Sequence, residues 1–157
     1  MASDKVIEVL NEIRRSELTA SIQYMAHHDE YEHLDIPYLA QMTRREGIGE
    51  MKHAEKLAQR VLFLGGRPAN SLLHPVFSSP DIKENLQKNL EHEKEAIERL
   101  NKAIQICIEE GDHGSRQLLD EILKDEEEHV DELENAIEFL EKMGDQALLL
   151  WKQGGES

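Results

Sequence analysis

Glu17, Glu50, Glu93 and Glu126 each stand in the apolar stripe of an amphipathic helix pattern, where a chain normally places leucine. Leu10, Ile13 and Ala20 lie at helical spacing from Glu17, and Leu39, Met42, Ala54, Leu57 and Val61 from Glu50. Leu86, Leu90, Ile97, Leu100 and Ile104 flank Glu93, while Leu119, Ile122, Leu123, Val130, Leu133 and Ile137 flank Glu126. Residues three and four apart share a helix face, so these carboxylates point into a core. By the same test Glu95, Glu127, Glu128 and Glu134 fall on polar faces, as a solvated charge run would.

The four inward acids are related by a repeat. Glu17 precedes Glu50 by 33 residues and Glu93 precedes Glu126 by the same interval. The whole set Glu17, Glu50, His53 recurs 76 residues later as Glu93, Glu126, His129. Leu10/Leu86, Ala20/Ala96, Leu57/Leu133, Phe63/Phe139 and Leu64/Leu140 match at that offset too. Two helical hairpins related by a pseudo-twofold axis would bring four glutamates and two histidines to one point.

Punctuation residues divide the chain accordingly. A first helix is expected from Asp4 to Leu34, with Asp35 and Pro37 as the cap and first-turn signals of a second. That helix should end at Gly65-Gly66. RPANSLLHPVFSSP follows without periodicity, and Ser79 with Pro80 restarts a third helix reaching about Glu110. Gly111 to Ser115 reads as a turn, the fourth helix closes at Gly144, and DQALLLWKQ adds one or two turns. Helices of roughly 30 residues are about 45 Å long, so short turns join antiparallel neighbours. The central connection of about 15 residues can extend to roughly 50 Å, enough to run the length of a bundle and set helices two and three parallel. The expectation is one all-α domain over 1–157, a four-helix bundle with a long crossover and a short fifth helix.

Charge and cysteine usage narrow the partners. A net charge of -15 repels phosphate backbones and anionic lipid, so neither nucleic acid nor membrane is expected as a partner, and cations are. The single cysteine, Cys107, cannot form an intrachain disulfide, and no apolar run approaches the 18 residues or so of a membrane span. MASDKVIEVL lacks a leader pattern, so a cytoplasmic protein is expected.

Ionised carboxylates in an apolar core repel one another and lose hydration, at several kcal/mol per ion, unless cations compensate. Two divalent ions neutralise four carboxylates. Mixed carboxylate and imidazole donors suit iron or manganese without excluding zinc or cobalt, and the lack of thiolates argues against an iron-sulfur cluster. Two ions about 3.5 to 4 Å apart, bridged by Glu50 and Glu126, are expected, with Glu17 and His53 as terminal ligands of one ion and Glu93 and His129 of the other. Glu-x-x-His alone proves little, since it also occurs at Glu30/His33 and Glu110/His113, at helix ends that read as solvated. His27, His28, His74 and His92 read as surface or loop residues.

One Glu from each of two helices with Glu-x-x-His from each of the others is the pattern of di-iron carboxylate bundles. SELTASIQY around Glu17, EMKHAEK around Glu50 and LKDEEEHVDELE around Glu126 resemble bacterioferritins, over nearly the whole chain. The resemblance implies a ferritin-like bundle, two iron ions per subunit, and ferroxidase activity oxidising Fe2+ with O2 or H2O2. It further implies iron storage as ferric mineral inside a cytoplasmic shell of 24 identical subunits built from dimers, with a ferredoxin-type reductant for release. It also implies haem b between subunits, held by Met51 from each; the residues alone favour an interface or core methionine there. Tyr24 matches a tyrosine close to the di-iron site in that family, either a core aromatic or a hydrogen-bonding or electron-supplying group. Some members carry an inner-surface iron site where this chain has Arg45 and Gly49, so that site is not expected. Gly47 and Gly49 weaken the middle of the second helix without explanation from sequence. The alternative is a non-storing di-iron redox enzyme that reduces peroxide or activates oxygen; a single cysteine excludes the Cys-rich electron-transfer module of rubrerythrin-like proteins.

Overall fold

The computed structural model describes residues 3–153. Helix α1 (Asp4–His33) starts where the Ser3 side chain accepts a hydrogen bond from the Lys5 amide and ends on Leu34. Asp35 then adopts φ 58, a left-handed turn residue, and the Ile36 amide reaches back to the Tyr31 carbonyl. Asp35 is therefore not a helix cap. Ile36 takes that place in α2 (Pro37–Phe63) without a side-chain hydrogen bond, and proline occupies the first turn, where its missing N–H costs nothing. Gly65, at φ 89, turns the chain out just past the α2 cap Leu64.

The third helix is capped later than Ser79-Pro80 suggested. Asp81 accepts from the Glu84 amide and opens α3 (Ile82–Glu109), while the Ser79 hydroxyl accepts from the Asp81 amide. The following turn is shorter than Gly111 to Ser115, because Asp112 already caps α4 (His113–Met143) through the Ser115 amide. Arg60 of α2 holds this cap with a 2.8 Å ion pair to Asp112. Gly144, at φ 55, separates α4 from α5 (Asp145–Gln153).

Residues 64–81 form the crossover, and it is fastened along α1. Asn11 bonds the Arg67 carbonyl and the Ala69 amide; Arg14 bonds the Ala69 carbonyl and Asn70. Thr19 then accepts from the Leu73 amide and Gln23 from the Phe77 amide, while the His27 ring meets the Phe77 carbonyl at 2.7 Å. Polar side chains about one turn apart thus satisfy backbone groups that the covered loop would otherwise leave unpaired. The crossover advances in the same direction as α1, so α3 begins beside the C-terminal end of α1, where Asn89 bonds His27, and Arg99 lies near Glu12 at the other end. Helices α2 and α3 are parallel, as the connection lengths predicted.

Two apolar clusters fill the bundle. Leu10, Ile13, Leu57, Val61, Leu100, Cys107, Leu119 and Ile122 pack one end. Tyr31, Leu39, Met42, Leu86, Leu133, Ile137 and Trp151 pack the other. The repeat pairs Leu10/Leu86 and Leu57/Leu133 are thereby split between the two ends, as a pseudo-twofold axis through the middle requires. Helix α5 closes the second cluster, with Trp151 stacked on Tyr38 at 5.5 Å.

Candidate metal centre

Between the two apolar ends the core is polar. Glu17 from α1, Glu50 and His53 from α2, Glu93 from α3, and Glu126 and His129 from α4 converge there, and all four glutamates are buried. His53 Nδ1 lies 2.9 Å from Glu17 Oε1, 3.8 Å from Glu50 Oε1 and 3.7 Å from Glu126 Oε1. His129 Nδ1 lies 3.2 Å from Glu50 Oε1, 3.7 Å from Glu93 Oε2 and 3.5 Å from Glu126 Oε1. Two four-residue donor groups result, each with its donor atoms within 4.8 Å of one another: Glu17, Glu50, His53, Glu126 and Glu50, Glu93, Glu126, His129. Glu50 and Glu126 belong to both groups.

The donors fit two cations. Both oxygens of Glu50 and Glu126, Oε2 of Glu93 and Nδ1 of His129 are buried without a hydrogen-bond partner. Orphaned polar atoms in a dry core cost about 1–3 kcal/mol each, more when charged, and a pair of divalent ions would satisfy all of them. Burial pushes the Glu50 and Glu126 carboxyls far up, and the facing carboxylates push the same way. Burial pulls His53 down, but its bond to Glu17 and the charges of Glu17 and Asp125 carry it above the usual imidazole range. At His129 the nearby Glu93 carboxylate and those of Glu46 and Glu126 likewise overcome burial, raising it to about 10.

Tyr24 lies at the edge of the centre, its hydroxyl donating to Glu93 Oε1 at 3.0 Å. Gly47 is explained by this packing: a Cβ there would meet Tyr24 Cβ at 3.2 Å and Met25 Sδ at 3.3 Å, so its absence lets α2 approach α1. Gly49 has nothing within 4 Å of such an atom, and packing does not explain it. Met51 is 46% exposed, turned away from the centre. His33, Glu110 and His113 are exposed, consistent with their reading as solvated helix-end groups, and Glu30 is half-buried.

Two readings need correction. His27 and His92 are not surface residues but buried ones, because the crossover covers them: His27 bonds Phe77 and Asn89, and His92 contacts His74 at 3.2 Å and the Ser16 carbonyl at 3.2 Å. His28 is half-buried and bonds the Ala40 carbonyl. Glu46, four residues before Glu50, is a fifth buried glutamate with neither oxygen hydrogen-bonded, and burial raises its carboxyl to about 8. Helical spacing from Met42 and Glu50 signals it, but its partner at the 76-residue offset is Ile122, so the repeat passes over it.

A four-helix bundle with this crossover and this buried carboxylate and histidine cluster defines the ferritin-like class, and the ferritin-like domain model matches residues 7–143. The chain is 38% identical over 146 residues to a bacterioferritin of Rhodobacter capsulatus, covering 93% of this chain and 91% of that protein. It is 39% identical over 145 residues to one of Streptomyces coelicolor, covering 92% and 87%. A solved structure of the Rhodobacter capsulatus protein, with a metal-free dinuclear site and a haem iron on a crystallographic special position, matches with a TM-score of 0.92 at 37% identity, covering 96% of this chain and 94% of that one. The chain belongs to the bacterioferritin family, a family of iron-storage proteins. Among the described residues no helix is long and apolar enough to cross a membrane.

Proposed function

We propose that the protein oxidises Fe2+ to Fe3+ at a dinuclear site within each subunit and stores the product as ferric mineral. The observation carrying this reading is the pair of four-donor groups that share Glu50 and Glu126. Glu17 and His53 hold one substrate iron, Glu93 and His129 the other, and Glu50 and Glu126 bridge them, which neutralises the carboxylates and fixes the ions close together. Each Fe2+ gives up one electron. The pair reduces O2 to H2O2, or H2O2 to two waters, with two protons consumed in either case. Imidazole and carboxylate donors accommodate both oxidation states of iron.

Storage places the chain in a cytoplasmic shell of 24 identical subunits built from dimers, with a ferredoxin-type reductant drawing on the mineral. The family's haem b would sit between two subunits, held by the Met51 thioether of each. The exposed Met51 side chain fits that role, and Ile22 on α1 is also uncovered, on a stretch tied to α2 by the Ser21 hydroxyl on the Gly47 carbonyl. Bound there, haem would supply a one-electron redox group.

Stopped-flow oxidation of Fe2+ by wild type and by the double variant Glu50→Gln/Glu126→Gln tests the site. The expected loss is about a hundredfold or more in the fast phase, comparable to removal of a principal electrostatic stabiliser. Wild-type rates in the double variant would refute the assignment.

A further inference from the structure

We infer that Asp125 is a positioning residue for the His53 half of the centre, and that Gly49 leaves the His129 half without its counterpart, so the two metal positions are inequivalent by construction. This rests on the dinuclear reading above.

The two nitrogens of His53 face different partners. Nδ1 points at Glu17, Glu50 and Glu126, while Nε2 lies 2.7 Å from Asp125 Oδ2. A carboxylate that accepts the Nε2 hydrogen keeps that nitrogen protonated, so that Nδ1 is the one that gives up its proton to an incoming ion, and it sets the ring plane and raises the basicity of the ligating nitrogen. The Asp125 side chain is 49% exposed, so solvent screens its charge, and orientation is its main contribution.

The internal repeat supplies the contrast. At the 76-residue offset His53 corresponds to His129, and Asp125 corresponds to Gly49. Asp125 reaches from α4 to the histidine of α2; the equivalent place on α2, facing the histidine of α4, carries no side chain. Among the described residues a Cβ built at Gly49 meets nothing within 4 Å, so a side chain can start there without a clash. Arg45, one turn earlier, is bonded to Glu132. The His129 side chain is 14% exposed against 8% for His53, and its Nδ1 has no hydrogen-bond partner. His53 is therefore held ready for an ion, whereas His129 must be ordered as its ion arrives, which costs side-chain entropy. The position at Glu17 and His53 fills first.

The test is anaerobic titration of metal-free protein with Co2+, followed by calorimetry and by the visible absorption of the bound ion. Wild type should take up two ions per chain in separable steps. Asp125→Leu should weaken the tighter step about 10- to 100-fold and leave the weaker one unchanged, and Asp125→Asn, which keeps an acceptor, should recover most of the loss. Gly49→Asp should tighten the weaker step about 10-fold while the total stays at two. Equal affinities in wild type and Asp125→Leu would overturn the inference, as would an unaltered weaker step in Gly49→Asp. Fewer than two ions in wild type would instead overturn the dinuclear reading. Thermal unfolding of the metal-free variants separates a lost clamp from a lost fold: a midpoint unchanged alongside a weakened tight step supports the clamp, and a large fall in the midpoint with both steps weakened contradicts it.

Discussion

The Tyr24 hydroxyl donates to Glu93 Oε1 across 3.0 Å in a part of the core where both groups are buried. Burial, and next the charge of Glu93, hold the phenol protonated far above its ordinary range, so it remains a donor at any working pH. Its ring meets His129 edge-on at 6.3 Å. Tyr24→Phe would leave Glu93 Oε1 without its donor and should destabilise the metal-free protein by about 1–3 kcal/mol. Denaturant unfolding measures this, and an unchanged midpoint would contradict a hydrogen bond of consequence.

Metal binding should release protons. Burial first, then the neighbouring carboxylates, raise Glu50 and Glu126, and His129 sits at about 10, so the metal-free cluster holds several protons at neutral pH. A group with a raised pKa keeps its proton below that pKa, and an ion must displace it, so affinity should increase as pH rises. Co2+ calorimetry in buffers of different ionisation enthalpy should show about one or more protons released per ion. A pH-independent affinity would refute this picture of the cluster.

Glu46 offers a separate pH effect. Burial raises its carboxyl to about 8, so the folded chain binds this proton more tightly than the unfolded one. The associated stability is full below the ordinary carboxylate range and is lost as pH rises towards about 8. Glu46→Gln should therefore stabilise the metal-free protein by about 4 kcal/mol near pH 8, and by little near pH 4.5. The thermal midpoints of both proteins across that range decide it; a constant difference would sink the assignment.

Arg14 fastens the crossover through the Ala54 and Ala69 carbonyls and the Asn70 side chain. Arg14→Ala should loosen residues 67–70 locally while the bundle stays folded, since each lost bond is worth about 1 kcal/mol. Amide exchange in that segment should quicken about tenfold or more, and exchange at wild-type rates would show that the other contacts suffice.

Much of this architecture was legible in the sequence because helical periodicity reports which side of a helix faces inward. It separated Glu50 with His53 and Glu126 with His129 from the other Glu-x-x-His pairs and added Glu17 and Glu93, and the repeat then joined the six into one set. Burial created by the crossover was not legible, since RPANSLLHPVFSSP has no period to show what it covers. His27 and His92 were misread for that reason, although Asn11, Arg14, Thr19, Gln23 and His27 already lay about a turn apart, ready to bind a strand of backbone. Glu46 was overlooked because the repeat substitutes Ile122 for it, and the role of Asp125 emerged only when its carboxylate was seen against His53.

The most direct test of iron storage is the amount of iron retained per chain after stepwise aerobic addition of Fe2+ to metal-free protein, followed by desalting. Retention far beyond about two irons per chain, the capacity of one dinuclear site, is predicted. A plateau at about two would contradict storage and leave a di-iron redox enzyme.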